Sequence, residues 1–367
     1  MHDKLYSVAV LPGDGIGPEV VEAALPVFDV IDVKFDFRFG SIGWECWRAN
    51  GDPIPQETWN IVRETDVTLL GAITSKPERE SKEELLSGID PKLHTYISPV
   101  VQLRQKLNLT TNRRPIIDLR NDEYDFVVLR ENTEGMYSGI DQFPVSDDLW
   151  KVVSGHPNAL ASGQEGTAVS VRIQTKEALR RLILSGFQLA ESRKNVVTIA
   201  DKPNVLRQSS KLIRSIVEEV SADYPSVQVE FSNVDAVAMW MVTRPSKFDV
   251  IIAENMFGDI LSDVGGGVMG GLGLAFSGNV GDKYAYFEPV HGSAPHMQGT
   301  GRANPMAMFL TIAFMLNYLH EYESADRIYR AVRSVVRKGD ILTYDLGGDA
   351  STLEVASAII SAVLKGE

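Results

Sequence analysis

Short apolar runs alternate with amphipathic stretches along most of the chain. Each run is shorter than an ordinary helix, so we predict that it forms a buried strand. The predicted strands cover residues 8–11, 67–70, 126–129, 196–200 and 250–253. Between them, apolar positions recur at helical spacing over residues 18–25, 98–106, 176–189 and 204–219. Strands that alternate with helices predict an α/β fold with a mainly parallel sheet.

Three segments depart from this alternation. Residues 141–166 are polar and contain glycine and proline, which favours a surface excursion or arm. The glycines between residues 265 and 273 are compatible with either a hinge or a tightly packed helix, and both interpretations stay open here. Residues 306–319 are apolar but shorter than the ~20 residues that span a bilayer, so we predict a helix in the core or at a subunit interface.

The composition is that of a globular protein, with 44% hydrophobic and 23% charged residues in a chain of 367. This length allows one large domain or two ordinary ones. The net charge of −13 argues against nucleic-acid binding and means that a local basic cluster must attract any anionic substrate. A single cysteine, Cys46, excludes an intrachain disulfide, and residues 1–5 do not resemble a signal peptide. We therefore expect a cytoplasmic protein that binds neither nucleic acid nor membrane.

The glycines near the N-terminus invite a comparison with dinucleotide-binding loops. Gly13, Gly15 and Gly17 follow a predicted strand and open a helix, but their spacing is G-x-G-x-G and Pro18 follows at once. The fingerprint requires G-x-G-x-x-G. Proline in the first turn of a helix is favourable, since its missing N–H has no partner to lose there. The loop is therefore not predicted to be a Rossmann pyrophosphate loop.

Two aspartates form the first candidate for a metal site. Asp259 and Asp263 are four residues apart, so they share one face of the helix predicted after the strand at 250–253. Carboxylate oxygens are the ligands that hard divalent cations prefer. Taken alone, such a pair more often forms an ordinary solvated helix face.

Ordered motifs through most of the chain resemble those of the β-decarboxylating dehydrogenases, the family of isocitrate, 3-isopropylmalate, homoisocitrate and tartrate dehydrogenases. The motifs are GDGIGPEV at 13–20, LRENTEGMY at 129–137, DKPNVL at 201–206, NMFGDILSD at 255–263, HGSAP at 291–295, ANP at 303–305 and DLGG at 345–348. The resemblance implies the two-domain isopropylmalate-dehydrogenase-like fold and not a Rossmann fold. It implies a large cofactor domain of residues 1–108 and 270–367. A small substrate and dimerisation domain, residues 109–269, then includes the arm.

The resemblance assigns substrate binding to three arginines, Arg104, Arg114 and Arg130. Three guanidinium groups suit a di- or tricarboxylate, because each can bind a carboxylate through two hydrogen bonds. Ser98 lies where isocitrate enzymes carry a serine that reaches the third carboxylate, but it is equally well placed to be the N-cap of a helix. Val100 replaces a frequently polar residue and would suit an alkyl substituent.

Tyr137 and Lys202 match the family's acid–base pair, and Asp235 is expected beside Lys202. Neighbouring arginines and a metal ion would lower the pKa of either group towards neutrality. The resemblance makes Asp235, Asp259 and Asp263 the carboxylates for Mg²⁺ or Mn²⁺. In the family the lysine and the first aspartate come from the neighbouring subunit, so it also implies a homodimer with a shared active site.

The resemblance further implies contacts to a nicotinamide cofactor, with NAD expected and NADP the alternative. The position after the HGSAP proline holds His296, where NAD-dependent members often have an acidic residue and NADP-dependent members a lysine. Tyr344 matches some NADP-dependent members, but Gly348 replaces their arginine. The candidate cofactor-binding residues are Thr74, Asn204, Glu288, His291, Gly292, Ser293, Ala294, His296 and Asn304.

The sequence-based hypothesis is therefore metal-dependent oxidative decarboxylation of a 2-hydroxy di- or tricarboxylic acid of the 3-isopropylmalate, isocitrate or homoisocitrate type, with hydride transfer to NAD(P). One alternative is a broad D-malate or tartrate dehydrogenase. Another is a non-catalytic regulatory subunit of a hetero-oligomeric dehydrogenase. Arg113, which stands where the family usually has leucine or valine, either recruits a longer or more acidic substrate or faces water.

Overall fold

Residues 4–367 are described by a computed structural model of the chain. The strands are β1 (Leu5–Gly13), β2 (Lys34–Phe39), β3 (Val67–Ala72), β4 (Thr111–Ile117), β5 (Asp125–Glu131), β6 (Asp141–Gln142), β7 (Val169–Ser170), β8 (Val196–Asp201), β9 (Gln228–Asn233), β10 (Val250–Ala253), β11 (Phe276–Val280) and β12 (Ala285–Pro289). The helices are α1 (Gly17–Ala24), α2 (Trp44–Asn50), α3 (Gln56–Glu64), α4 (Glu78–Glu83), α5 (Pro99–Lys106), α6 (Asp147–Val153), α7 (Pro157–Ser162), α8 (Lys176–Glu191), α9 (Arg207–Ser221), α10 (Val234–Thr243), α11 (Asn255–Met269), α12 (Met306–Tyr318), α13 (Tyr322–Lys338) and α14 (Thr352–Lys365).

Most strands of this part of the chain belong to one ten-stranded sheet, in the order β2-β1-β3-β12-β11-β4-β5-β10-β8-β9. Both ends of the sheet are parallel, as predicted. The centre differs, because β11 and β4 run antiparallel to their neighbours. The short turn after β4 accounts for the β4–β5 pair. Antiparallel strands can be joined by a tight connection, and here the Asp118 carboxylate accepts hydrogen bonds from three backbone N–H groups of the turn.

Helices cover both faces of the sheet and bury its apolar side chains. The apolar faces of α8 and α9 pack on β5, β8 and β10. The helices α12, α13 and α14 enclose a larger cluster with β1, β3, β11 and β12. Nearly every residue of α12 is buried, which confirms the core placement predicted for residues 306–319. Among the described residues, none of the helices combines the length and the apolar character that crossing a bilayer requires.

Each predicted strand and helix overlaps an observed one, and one of the shifted boundaries has a local cause. The helix predicted from residue 204 begins at Arg207. The carbonyl of Lys202 accepts hydrogen bonds from the N–H groups of Val205 and Leu206, so residues 202–206 form a separate turn. Asn204 therefore lies in a loop directly after β8.

The arm and the glycine-rich segment are both resolved into definite structures. In the arm, β6 pairs antiparallel with β7 apart from the main sheet, and α6 and α7 lie between them. The first glycines of the 265–273 segment belong to α11, which ends at Gly270 with a φ of 112°. A side chain at Gly265 would come within 2.5 Å of Ile116 Cγ1, so the interpretation as a tightly packed helix is the correct one.

The N-terminal glycines bring backbone segments together. A Cβ at Gly13 or at Gly15, both of which have positive φ, would lie 2.0 Å from the carbonyl oxygen of Ala72 or Ser293. The N–H of Ile16 donates to the Ser293 carbonyl at 2.8 Å. The loop is thereby fixed against β3 and the HGSAP segment, in agreement with the prediction that it is not a pyrophosphate loop.

Candidate active site

Three buried arginines lie around the start of α11. Arg130 is in β5, Arg114 in β4 and Arg104 in α5, and each is less than a tenth exposed. The helix α11 follows β10 directly and packs across β4 and β5. Because α11 carries Asp259 and Asp263, the sheet brings the predicted substrate and metal residues together.

The Asp259 carboxylate joins two of these arginines. Arg130 Nη1 donates to Asp259 Oδ1 in a short ion pair, and Arg114 Nη2 approaches the same oxygen at 3.4 Å. Arg114 Nη1 also donates to Asp263 Oδ1 at 3.1 Å and to the Ser262 hydroxyl at 2.6 Å. One turn of helix therefore presents two carboxylates and a hydroxyl to one guanidinium group.

Tyr137 completes the cluster from the loop after β5. Its hydroxyl donates to Asp259 Oδ2, and the Arg130 guanidinium lies 5.0 Å from its ring centroid. Burial and the hydrogen bond to the negatively charged Asp259 raise the pKa of the Tyr137 phenol. The lowered pKa predicted for this group assumed a bound metal ion as well as the arginines. A carboxylate that accepts a hydrogen bond from the phenol has the opposite effect and stabilises the protonated form.

The three guanidinium groups are close enough to influence one another. Burial and the positive charges of Arg104 and Arg114 lower the pKa of Arg130 to about 10. Burial also lowers the pKa of Arg114, although Asp259 opposes that change. Burial acts against the charge of Arg104 as well, but Tyr286 and Glu288 outweigh it and raise the Arg104 pKa. The site therefore gathers three cationic groups in an acidic chain and pairs them with the carboxylates of Asp259, Asp263 and Glu288.

A second group of predicted residues lies outside this cluster. Lys202, in the turn after β8, forms a short ion pair with Asp235 in the first turn of α10. The hydrogen bond from Lys202 lowers the pKa of the Asp235 carboxyl. Among residues 4–367, no three side chains of the metal-binding types form a group that could hold an ion, so Asp235 does not join Asp259 and Asp263 within one chain.

The donor set of Asp259 and Asp263 fits a hard divalent cation. Their side chains are 30% and 61% exposed, so their oxygens are open to an ion and its waters. Mg²⁺ commonly takes one or two protein carboxylates and completes its shell with water and substrate oxygens. These two aspartates would hold the ion from this side, and Asp235 would have to approach from another chain.

The HGSAP segment lies against the loop that follows β3. The hydroxyl groups of Thr74 and Ser293 are 2.6 Å apart, and the Thr74 N–H donates to Asp14 Oδ2 at 2.8 Å. Ala294 has a φ of 37°, an unusual value for a residue with a side chain. The predicted cofactor residues Thr74, Ser293 and Ala294 thus belong to one tightly turned surface.

His291 and Gly292 lie beside that surface, and they fit a ligand with hydrogen-bonding groups. The buried Nε2 of His291 has no partner within residues 4–367, while its Nδ1 lies 3.0 Å from the Gly292 carbonyl oxygen. Burial lowers the pKa of His291, which favours the neutral ring. A neutral imidazole can donate to or accept from a ribose or amide group of a bound nucleotide.

The remaining predicted cofactor residues occupy different surroundings. Glu288 accepts from Arg104 Nη2 at 3.3 Å and so links the HGSAP region to the arginine cluster. Asn304 caps the start of α12 by accepting from the Met306 N–H at 3.0 Å, and its amide donates to Asp345. His296 is exposed. Asn204 is distant from them, because β8 stands five strands from β12, which is roughly 24 Å at the usual strand spacing.

The two candidates for substrate selection lie at the start of α5. Ser98 occupies the N-cap position before Pro99, but its hydroxyl does not cap the helix and instead accepts from the Ser75 hydroxyl at 2.9 Å. Val100 packs on the apolar cluster formed by β1, α3 and α5. The position of Ser98 thus leaves its hydroxyl available to a ligand.

Arg113 does not belong to the arginine cluster. Successive residues of a strand point to opposite faces of the sheet, and Arg114 points to α11. Arg113 Nη2 donates to Ser185 of α8 at 3.1 Å, on the other face. Both interpretations of Arg113 were therefore wrong: it neither reaches the active-site substrate nor simply faces water.

Several polar residues of the site were not assigned a role from the sequence. The side-chain oxygen Oδ1 of Asn255 accepts from both Nε and Nη2 of Arg130, at 2.9 and 2.7 Å. The side-chain Nδ2 of Asn255 donates to the backbone carbonyl of Glu134 at 2.7 Å. Asn112 accepts from Arg114 Nε at 2.7 Å. A spacing signal was present, since Asn255, Asp259 and Asp263 repeat every four residues along one helix face.

Comparison with known proteins places these features in a family context. A family model described as isocitrate/isopropylmalate dehydrogenase matches residues 7–361. The chain is 48% identical over 356 residues to protein DlpA of Legionella pneumophila, but this match covers 96% of the chain and 58% of DlpA. It is 35% identical to the 3-isopropylmalate/3-methylmalate dehydrogenase of Methanocaldococcus jannaschii, covering 98% of the chain and 99% of that protein. The crystal structure of isocitrate dehydrogenase from Methylococcus capsulatus matches with a TM-score of 0.83 and 35% identity, covering 98% and 99% of the two chains.

The seating of α11 on the arginine strand can be tested at two glycines of this helix. A Cβ at Gly258 would lie 2.7 Å from Arg130 Cβ, whereas a Cβ at Gly267 would meet nothing within 4 Å. Overpacking of this kind costs about 1–3 kcal/mol, while alanine in an open helical position gains up to ~1 kcal/mol. We expect urea unfolding to show that Gly258→Ala is less stable than the unmodified protein and Gly267→Ala is at least as stable. Equal stabilities for the two variants would contradict the close packing at Gly258.

Proposed function

Because this chain belongs to the isocitrate/isopropylmalate dehydrogenase family and shares its fold, we propose that it oxidatively decarboxylates a 2-hydroxy acid. The substrate carries a second carboxylate on the carbon next to the hydroxyl-bearing one. NAD(P) accepts the hydride, and a divalent cation, Mg²⁺ or Mn²⁺, is required. The whole-protein activity and the substrate identity are proposals, not least because the chain spans 58% of the length of DlpA.

The observation that carries this proposal is that two of three buried guanidinium groups are neutralised by the same aspartates that are suited to a cation. Arg114 pairs with Asp259 and Asp263, and Arg130 pairs with Asp259, whereas Arg104 is paired with Glu288. If Asp259 binds a cation, the arginines that now contact it lose most of that neutralising charge. A substrate with two or three carboxylates supplies the missing charge in the two-hydrogen-bond geometry that guanidinium groups favour.

Lys202 and Tyr137 together suit a reaction in which the substrate first loses a proton and later receives one. Lys202, in its neutral amine form and held by Asp235, takes the proton of the substrate hydroxyl as the hydrogen on the same carbon leaves with its electron pair. The bond to the second carboxylate then breaks, CO₂ departs, and the electron pair remains on the carbon of an enolate. Tyr137 returns a proton to that carbon.

The divalent cation and the nicotinamide nucleotide supply the chemistry that these side chains cannot. When bound, the cation supplies Lewis acidity and the nicotinamide ring accepts the hydride. Asp259 and Asp263 would hold the cation, and the surface of Thr74, Ser293 and His291 would hold the nucleotide. NAD is the proposed acceptor, since Gly348 stands where NADP-dependent relatives have an arginine.

A homodimer with shared active sites is part of the proposal. Lys202 and Asp235 form a pair apart from the Asp259 cluster, so one chain holds two incomplete halves. Apolar side chains are exposed next to these halves, with Met239 and Val242 on α10 and Ile260 on α11 each more than half exposed. Phe143 in the arm is 72% exposed. Contact with a second chain would cover these side chains and bring the halves together.

The direct test is a spectrophotometric panel at constant Mn²⁺. It uses isocitrate, homoisocitrate, 3-isopropylmalate, D-malate and tartrate, each with NAD and with NADP. One strongly preferred substrate with NAD is the expected result. A preference for isocitrate or homoisocitrate would indicate that Ser98 determines substrate selection. A preference for 3-isopropylmalate would indicate that the apolar Val100 does.

The other outcomes of the panel separate the alternatives. Comparable rates with several substrates would indicate a broad D-malate or tartrate dehydrogenase. Stabilisation against heat by Mn²⁺, without reduction of either nucleotide by any substrate, would contradict the enzymatic proposal and support a regulatory subunit.

The shared site predicts complementation between two inactive variants. Lys202→Met and Tyr137→Phe should each lose nearly all turnover while keeping the fold. In a mixed dimer, one of the two sites receives the intact lysine from one chain and the intact tyrosine from the other. Random assembly of co-expressed variants should therefore restore about a quarter of the unmodified activity.

The control is a mixture of the two purified variants before any subunit exchange, which should stay inactive. No recovery in co-expressed, verified mixed dimers would show that Lys202 and Tyr137 act within one chain. Activity in either variant alone would contradict the role assigned to its residue.

A further inference from the structure

The face of the sheet opposite the active site contains a cavity. It has a volume of about 520 Å³ and lies between β4, α8 and the helices α12 and α13. Its walls are largely apolar, with Val127, Leu189, Phe287 and Phe314 among them. Sites for small organic molecules commonly have volumes of about 300–1,000 Å³ and mostly apolar walls. The cavity is therefore large enough for a small organic ligand.

Arg113 brings a positive charge to this cavity. The side chain leaves the middle strand β4, and its one hydrogen bond among the described residues is from Nη2 to the Ser185 hydroxyl. Within residues 4–367 it has no carboxylate in ion-pair range, and its buried Nε has no hydrogen-bond partner. Arginine keeps its charge in proteins even though burial lowers the pKa of Arg113.

A second donor without a partner belongs to a residue that lines the same cavity. The carboxylates that line the cavity are already paired with other arginines. The Nε of Arg333 is buried without a partner within the described residues, although its Nη1 is paired with Asp122 at 2.9 Å. The lining carboxylate Asp125 pairs with Arg193 at 2.8 Å, and the other, Asp326, pairs with Arg330 at 2.8 Å. Both lining carboxylates are thus paired, while the Nε groups of two lining arginines are left without a partner.

Arg113 as a whole is partly exposed, but its Nε is buried without a partner, and a buried polar atom without a hydrogen bond destabilises a protein. A leucine or methionine at residue 113 would fill the same space without that cost. An anionic ligand would satisfy the free guanidinium face, and the apolar walls would enclose the rest of the molecule. Charge-assisted hydrogen bonds of this kind are roughly twice as strong as neutral ones.

We propose that this cavity, which we call the β4 back pocket, binds a small organic anion with one carboxylate and an apolar body. The carboxylate binds Arg113, with Arg333 Nε as the second donor, and the apolar body lies against the wall that Phe287 and Phe314 form together. The pocket is separate from the dehydrogenase site, because Arg113 and Arg114 leave β4 on opposite faces. Its ligand therefore does not compete with the substrate of the proposed reaction.

The test uses three probes that match this description: phenylacetate, indole-3-acetate and 4-methylpentanoate. Binding to the full chain is measured by isothermal titration calorimetry and by ligand-detected NMR, in a chloride buffer free of other organic anions. The corresponding neutral amides test the need for the charge. Arg113→Met removes the proposed anchor. Arg181→Met is the matched control. Arg181 is a residue of α8 on the same face of the sheet, but it pairs with Glu177 and Asp282 outside the pocket.

We expect at least one of the acids to bind the unmodified protein and the Arg181→Met variant equally. Arg113→Met should bind that acid at least about tenfold more weakly than the unmodified protein does. The unmodified protein should bind the neutral amide with a similarly low affinity. Leu189→Trp, which places a larger side chain in the cavity wall, should also abolish binding. Without a ligand, Arg113→Met should unfold at a higher temperature than the unmodified protein, which also shows that the variant folds.

Three results would overturn the proposal. The first is that none of the three acids binds at a concentration of about 10 mM, which would mean an affinity weaker than millimolar. The second is equal binding to the unmodified protein and to Arg113→Met. The third is displacement of the bound acid by the substrate found in the spectrophotometric panel, which would place the acid in the active site. A negative result here leaves the dehydrogenase activity untouched, so the two proposals fail separately.

Discussion

The active site depends on the contact between one carboxylate and several cationic or polar donors. Asp259 accepts hydrogen bonds from Arg130 and Tyr137 and lies within ion-pair range of Arg114. This contact is possible because Gly258 has no side chain and α11 can lie directly on β5. The glycine thereby connects a packing constraint to the electrostatics of the site, since a helix displaced from β5 would carry Asp259 away from both arginines.

The arginine cluster explains how an acidic chain can bind an acidic substrate. The whole molecule carries −13, but Arg104, Arg114 and Arg130 stand together, and burial and the charges of Arg104 and Arg114 lower the pKa of Arg130. With a cation on Asp259 and Asp263, as proposed, these guanidinium groups would act on a substrate within the ~8–10 Å over which salt screens charges. The strand β4 divides the positive charge between two faces. Arg114 serves the active site, and Arg113 is left at the β4 back pocket.

Much of the fold and of the site was predictable from the sequence. The apolar runs predicted five of the ten strands of the main sheet, because each run is bounded by polar residues and lies among helical patterns. The motifs predicted the family, and the structure brings Arg104, Arg114, Arg130, Tyr137 and Asp259 into one cluster. The antiparallel centre of the sheet was not predictable, since apolar runs carry no information on strand direction.

The side-chain environment was less accessible than the fold. The phenol of Tyr137 was expected to have a lowered pKa, but Asp259 accepts its proton and reverses the direction. The sequence placed Arg113 and Arg114 side by side, but it did not predict the strand β4, which directs them to opposite faces of the sheet. Asn255 was visible within a motif, yet its role in holding Arg130 became apparent only from the contact. The domain boundaries and the shared dimer remain predictions.

The central claim is that oxidation and loss of CO₂ are coupled in one site. The measurement that tests it most directly is the ratio of CO₂ released to nicotinamide reduced, with the preferred substrate and Mn²⁺. The account predicts a ratio of about one, and no reduction with a 2-hydroxy acid that lacks the adjacent carboxylate. Reduction of nicotinamide without release of CO₂ would contradict it, because the arginine cluster would then serve a simple dehydrogenase.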